Sequence, residues 1–573
     1  MRALVILGIG GVQQSLVECR LTSDLRNASQ IVATLSGELV RVLGESGAEV
    51  LLPAEQGASN KIVALLDTPA PAAVERQLRE RARDWWAGRV RALYPKSPVA
   101  VEDSGAPPLV VSVVTREGGE SAQAWWQRAT DTFAAAKTAK PVPGGVSWSG
   151  RAVCALSPRW AVASSAPTLT TVRRHERDQL SQAAWVRRAW HRLPDTTSAG
   201  FPSTRAIAAA PFLTRHAERM PLAAVEELAR VVKQVWPAIE SPVPGVPEGA
   251  VARVAGWLSE SAWEPGALAR RTGMSAADAA APAQRGLAAL RRLRRELDGD
   301  GGPGAYVALV AQDVDGAGTH LRNASFPDDH RTMGGELTEL GARQAGQCAQ
   351  QQGCVIYAGG DDLLALAPAS AALALARELH DDALRALRGP QWSGQATVSS
   401  AVVYFHPSFP LSLAVSRCRD ALHQAKSVHA RGRDKHGLSV VVLRRGGERA
   451  CSLLPWQLEN ADTREDSRLD AATALLEVAA AAPAGALAHE VERDRHVLDD
   501  LARIPDGGNR SVREVLARLT HRHSRGDAVL GKLVYRLARH EQSGDTLQSL
   551  QAVPSLLVAR FLASAAVTGL WTA

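Results

Sequence analysis

Two stretches of this 573-residue chain repeat one order of apolar runs, and that repetition limits the folds available to it more than any other feature. In the first, residues 3–8 read as a strand, 11–19 and 28–44 as helices, and "AEVLLPA" (48–54) and "KIVALLD" (61–67) as strands joined by a polar, glycine-containing turn. In the second, "AYVALVAQ" is a strand, "GGELTELGARQAGQCAQQ" a helix, "CVIYA" and "LLALAP" a hairpin, "ALALARELHDDALRAL" a helix and "QATVSSAVVYF" a strand. A further helix then leads to the strand "LSVVVLRR". Strand-helix-strand-strand-helix-strand is the ferredoxin-like α+β order, so the sequence predicts two such units.

At this length one hydrophobic core does not suffice, and a multidomain chain is the default. Hydrophobic residues make up 46% and charged residues 22%, an ordinary globular composition that excludes a disordered chain. Residues 110–165 carry short β-like runs and Pro/Gly turns, whereas 172–298 is mostly helical, Arg- and Ala-rich, and broken by "SPVPGVPEG" at 241–249. The linker "DGDGGPG" precedes the second unit, and the chain becomes helical again from about residue 464. The expected division is a first α+β domain over 1–165, a helical insert over 166–300, a second α+β domain over 301–463 and a C-terminal helical domain over 464–573.

The net charge of +7 is modest, but arginines cluster at Arg291, Arg292, Arg294 and Arg295 and at Arg173, Arg174 and Arg177. Such clusters could meet phosphates, and they read first as solvated helix faces. Six scattered cysteines, with no CxxC pair and no histidine at ligand spacing, give no zinc site. Few cysteines, no secretory signal and a C-terminal apolar stretch interrupted by Arg560 lead to the expectation of a soluble, cytoplasmic protein with no membrane partner.

The stretch "VIYAGGDDLLALAP" sets Asp361 and Asp362 side by side after Gly359 and Gly360. Those glycines suit a two-residue hairpin turn that projects the acids at the head of the next strand and lets a triphosphate approach the backbone. Two adjacent carboxylates repel, and a divalent cation such as Mg²⁺, which takes oxygen ligands and phosphate oxygens, relieves that repulsion. A third ligand is available from Asp313 at the end of "AYVALVAQDVDG", with Asp315 two residues on. The first strand of a ferredoxin-like sheet lies beside the hairpin strand, so these acids can converge on two ions roughly 3.5 to 4 Å apart, as phosphoryl displacement requires. Alone, "GGDD" is no more than a turn signal. The second acidic stretch adds the metal reading.

"YAGGDD", with "AQDVDGAG" upstream and "CRDALHQAKSVHARGRDKHGLSVVV" downstream, resembles the polymerase/cyclase palm of the large subunit of type III CRISPR-Cas effector complexes, nearest to the III-B Cmr-type branch. "GIGGVQQSLVECRLTSDLRNASQIVATL" and "FPSTRAIAAAPF" resemble other parts of that subunit. The resemblance implies an RNA-guided complex that joins ATP into cyclic oligoadenylate when a transcript pairs with the guide, using two Mg²⁺ or Mn²⁺ ions per site. Partners would be guide and target RNA, the subunit that binds the guide's 5′ end, and a small helical subunit. By the same resemblance Asp313, Asp361 and Asp362 become catalytic metal ligands with Asp315 a further one, Gly359 and Gly360 the nucleotide-approach turn, and Lys426 and Lys435 triphosphate contacts.

Many relatives open on an HD nuclease domain, while this chain opens on a palm-like strand, so no DNase activity is expected. His380-Asp381, the one His-Asp dipeptide, reads as an exposed helix face. Only Cys154 remains where relatives carry a zinc-binding cysteine cluster, and the first palm has "LLPAEQGASNKIV" where the second has its acids. No zinc and a silent first palm are therefore expected. Trp85-Trp86 and Trp125-Trp126 read as core or interface anchors rather than base-stacking platforms. A non-catalytic scaffold that binds guide RNA and partner subunits is the alternative function. A stand-alone diguanylate-cyclase-like enzyme is a third, which the flanking helical blocks make awkward.

Overall fold

A computed structural model describes the chain except for residues 55–58, 96–104, 139–151, 164–166, 168–178, 194–195, 197–199, 238–240, 298–301, 360, 393–395, 431–432, 459–468, 482–484, 505–507, 524–527, 543–552, 565–566 and 568–573. The first α+β unit contains β1 (Arg2–Ile9), α1 (Val12–Val17), α2 (Thr22–Glu45), β2 (Glu49–Leu52), β3 (Lys61–Asp67), α3 (Pro71–Leu93), β4 (Leu109–Thr115) and α4 (Ala122–Thr138). Its sheet order is β2-β3-β1-β4, with β1 antiparallel to both neighbours. Strand alternation splits β1 between two cores. Val5, Leu7 and Ile9 face α2 and α3, whereas Leu4 and Ile6 face α4. Residues 122–138 overturn the expectation of β-like runs: Trp125, Trp126, Ala129 and Phe133 are buried along one face of α4, a helical spacing.

The insert comprises α5 (Gln182–Ala189), α6 (Thr204–Arg215), α7 (Leu222–Val235), α8 (Ala250–Val254), α9 (Pro265–Thr272) and α10 (Ala276–Glu296). It is tied to the first unit by the buried Arg188–Asp24 ion pair, 2.5 Å from Nε to Oδ1. On α10, Arg292 pairs with Glu227 and Glu296, and Arg291 and Arg294 both reach Glu260, so much of that arginine cluster is already neutralised. Arg173, Arg174 and Arg177 lie outside the described residues.

The second unit runs through β5 (Val307–Val314), α11 (Ala317–Asn323), α12 (Asp328–Gln350), β6 (Cys354–Gly359), β7 (Asp362–Pro368), α13 (Ala372–Ala386), β8 (Val398–Phe405), α14 (Leu411–Ala425), the short β9 (His429–Ala430) and β10 (Arg433–Asp434), β11 (Gly437–Arg444) and β12 (Gly447–Pro455). Its six-stranded order, β12-β11-β8-β5-β7-β6, contains the same four-strand core as the first sheet, extended by β11 and β12. β11 is parallel to β8, and α14 makes the crossover that a parallel pair needs. The units share a core in which Trp126 and Val63 of the first pack with Val314, Phe326 and Met333 of the second. At Gly334 of α12 an added Cβ would come within 2.5 Å of the Leu51 carbonyl, so this close approach requires glycine.

α13 corrects the reading of His380. Its ring is buried, stacked on Trp456 at 4.0 Å between centroids, and its Nε2 lies 2.9 Å from Nε2 of His436. Asp381 beside it is exposed. Trp456 and His436 are distant in sequence, and they supply the surface that covers the imidazole.

The C-terminal part begins with β13 (Gln457–Leu458) and β14 (Leu469–Asp470) and continues through α15 (Ala471–Ala480), α16 (Gly485–Arg493), α17 (Arg495–Ala502), α18 (Gly508–His523), α19 (Ala528–His540) and α20 (Val553–Leu562). It packs on the β5 face that carries Ala308 and Val310. Among the described residues no helix is long and apolar enough to cross a membrane.

Candidate active site

The alternation of β5 decides which way its acid points. Leu309 and Ala311 belong to the core shared with α6 and α14, and Asp313, two further on, falls on that face. In β7, Leu364 and Leu366 face the same core, which puts Asp362 there too. The two aspartates are register partners. The neighbouring pair is the hydrogen-bonded one, since the Val314 N–H donates to the Asp361 carbonyl at 2.8 Å. Asp313 and Asp362 therefore form a non-hydrogen-bonded pair, the arrangement with the closest side chains, Cβ atoms about 4.5 to 5.5 Å apart.

Gly359 pairs with Asp362 inside the β6–β7 ladder, so it is a strand residue and not part of the expected two-glycine turn. Gly360 lies outside the described residues, and Asp361 is exposed at the tip. Lys426, at the C-terminus of α14, places its Nζ 2.6 Å from Oδ1 of Asp313. Lys435 is not brought to the acids: it sits at positive φ (75°), donates its N–H to the Val428 carbonyl, and forms no ion pair with the four aspartates among the described residues. Asp315 is buried and saturated. Its carboxylate accepts hydrogen bonds from Thr397 Oγ1 (2.8 Å), Ser399 Oγ (2.8 Å) and the His436 N–H (3.1 Å), which makes it a brace between β5, β8 and the loop before β11.

Like charges directly opposite on a sheet destabilise it. Burial, then Asp361 and Asp313, push the Asp362 carboxyl up to about 8. Burial also raises Asp313, opposed by Lys426. Among the described residues no three His, Cys, Asp or Glu side chains already surround one point. The donor set is nonetheless carboxylate oxygen alone, held as a like-charged pair with raised proton affinity, and that is what a hard divalent cation relieves. The residues present fit such an ion.

Beside the pair lies a cavity of about 240 Å³ that reading along the chain did not reveal. Tyr357, Gly359 and Asp362 line one wall, and Gln13, Arg26 and Asn60 of the first unit line the other. Arg26 donates to the Ile356 carbonyl at 2.7 Å, crossing between the units. Burial pushes the Tyr357 phenol well above its usual range, with Asp362 adding to the effect. No local motif marks Gln13, Arg26 or Asn60, because only the packing of one unit on the other gives them a role.

Residues 306–436 match the family model described as Cas10/Cmr2, second palm domain. The second α+β unit is thus similar to a Cas10/Cmr2 palm. A 138-residue stretch is 29% identical to the CRISPR system Cmr subunit Cmr2 of Pyrococcus furiosus, spanning 23% of this chain and 15% of that protein. Across 99% of its length the chain shares the fold of a cryo-EM structure of type III-B Cmr-beta in the apo state, with a TM-score of 0.63, 12% identity and 82% of that chain covered. Against Cmr-beta bound to cognate target RNA the TM-score is 0.66, with 13% identity and 83% covered. Sequence similarity over residues 306–436 and a fold shared across the chain set the acids in a segment similar to the Cas10/Cmr2 second palm.

Proposed function

We propose that the second palm is a nucleotidyltransferase site that joins ATP into cyclic oligoadenylate, as the large subunit of an RNA-guided type III antiviral complex. The observation that carries the reading is the Asp313–Asp362 register pair, with Asp361 at the adjoining turn and Lys426 on Asp313, beside a cavity shared by both palms. Asp313 and Asp362 would hold Mg²⁺ or Mn²⁺, with Asp361 completing the set. Bound there, the ions supply Lewis-acid stabilisation of the attacking 3′-oxygen and of the leaving pyrophosphate. Asp315 keeps the end of β5 in register with β8. Lys426, whose ammonium stands 2.6 Å from Asp313, would offer its charge to a triphosphate oxygen. The cavity walls orient the base and ribose, and positioning supplies much of the remaining rate. Partners follow from the same reading: guide RNA, target RNA and the other subunits of such a complex.

The test is incubation of the assembled complex with matched target RNA, ATP and Mg²⁺, comparing the parent chain with Asp361→Ala/Asp362→Ala. Oligoadenylate from the parent and none from the variant is the expected result. Equal yields from both would leave a scaffold role that binds guide RNA and partner subunits.

A further inference from the structure

A second cavity, of about 370 Å³, lies at the opposite end of the same sheet. Val307 pairs with Phe405 at that end and Asp313 with Ser399 at the acidic end, so the two sites are roughly 20 Å apart at about 3.4 Å per strand residue. Arginine and histidine side chains reach this cavity from four separate segments. Arg205 stands on α6, Arg294 on α10 and Arg445 in the β11–β12 turn, while His406 follows β8. Among the described residues three guanidiniums line it with one carboxylate, Glu260, which Arg294 engages at 3.2 Å and Arg291 at 3.7 Å. The Nε of Arg294 is buried with no hydrogen-bond partner.

The histidine reports the same excess of positive charge. Burial, then Arg445 and Arg205, push His406 down to about 4, so its ring is neutral at ordinary pH. The Ser408 N–H donates to its Nδ1 at 3.1 Å, which leaves the ring proton on Nε2 as one more donor. Between these groups the wall is built of small residues, among them Ala208, Ala209 and Gly256, leaving room for a compact ligand.

We propose that this cavity is a second, anion-specific site, which takes the phosphate group of a small nucleotide-sized ligand at the seam between the helical insert and the second palm. Arg205 and Arg445 supply charge-assisted hydrogen bonds to the phosphate oxygens, and the small-residue wall accommodates what the phosphate is attached to. The site is independent of the acid pair.

The test uses the full chain carrying Asp361→Asn and Asp362→Asn, in EDTA, so that its outcome does not depend on the nucleotidyltransferase reading. Binding of inorganic phosphate, AMP and adenosine is measured by isothermal titration calorimetry. Phosphate and AMP are expected to bind and adenosine not to. Either Arg205→Gln or Arg445→Gln should weaken that binding about tenfold, the scale of one charge-assisted bond, whereas Arg292→Gln should not change it. AMP binding more tightly than phosphate identifies a nucleotide as the source of the phosphate, and equal affinities identify the free anion. Arg445 stands in an exposed turn, so its exchange keeps the test valid should Arg205→Gln fail to fold. No binding of phosphate or AMP, or binding indifferent to both exchanges, overturns the proposal, as does capture of single-stranded RNA with no affinity for either probe.

Discussion

At the head of its central strand pair the second palm sets Asp313 opposite Asp362, and the first sets Gly8 opposite Lys61. The backbone hydrogen bonds there correspond one to one. Ile9 donates to the Asn60 carbonyl at 2.8 Å as Val314 donates to that of Asp361 at 2.8 Å, and Gly10 donates to Pro108 at 2.7 Å as Asp315 donates to Thr397 at 2.8 Å. Gly8, Gly10, Asn60 and Lys61 thus stand where the second palm has Asp313, Asp315, Asp361 and Asp362. One scaffold, used twice, is loaded with carboxylates in one copy and emptied of them in the other. An acid at Gly8 would have to displace the Phe133 ring of α4, which a Cβ there would meet at 2.7 Å. Its head serves instead as a wall of the second palm's cavity, through Ser59 and Asn60.

The sharpest way to break this contrast is to exchange the acids. Asp361→Ala with Asp362→Ala should cut oligoadenylate formation on the order of 10³-fold, the scale of losing charge-stabilising groups, while Lys61→Ala, at the position matching Asp362, keeps most of it. Quantified product from both variants decides the point, and equal losses would mean the palms share the chemistry. Lys426→Ala comes next, with a loss of about 10²-fold that Lys426→Arg partly restores. Single-turnover rates at saturating ATP measure it.

The next effect is on stability, and its sign follows from the Asp362 shift. An unfolded aspartate titrates near 3.9, and in the folded chain burial and the neighbouring acids hold Asp362 at about 8. Between those values the folded state binds the extra proton, so the cation-free chain loses stability as pH rises through that window and regains it as pH falls. In EDTA the melting temperature should drop between pH 5 and pH 8, less so for Asp362→Asn, and Mg²⁺ should restore the parent above pH 8. A slope unchanged by Asp362→Asn would contradict the assignment. The smallest effect is a local one: Gly8→Asp should cost about 1–3 kcal/mol by overpacking against Phe133, read by urea unfolding, and should confer no activity on the first palm.

Much of this was legible because the strands announce themselves. "VALVAQDV" and "DLLALAP" are apolar on both faces, as strands covered by helices on both sides must be, and their alternation alone puts Asp313 and Asp362 on one face. What escaped depends on partners far along the chain. Trp125 and Trp126 read as anchors in sequence, but what they anchor against, the sheet and Phe326, is supplied from far along the chain. That Gly359 belongs to the ladder opposite Asp362 follows from a register that the "GGDD" spelling does not disclose. Asp315 resembles a fourth ligand in sequence, yet Thr397 and Ser399 claim it as a brace. Lys426 and Lys435 are both candidates in sequence, Lys435 the weaker, and the end of α14 over β5 brings only Lys426 to Asp313 among the described residues.

The central claim is that carboxylates on neighbouring strands of the second palm bind divalent cations and that the first palm, on the same backbone, does not. Crystals of the chain soaked with Mn²⁺ and a non-hydrolysable ATP analogue test it most directly, by anomalous scattering. The account predicts peaks between Asp313 and Asp362 and none near Gly8 and Lys61; the absence of any peak at the aspartates, or peaks at both heads, would contradict it.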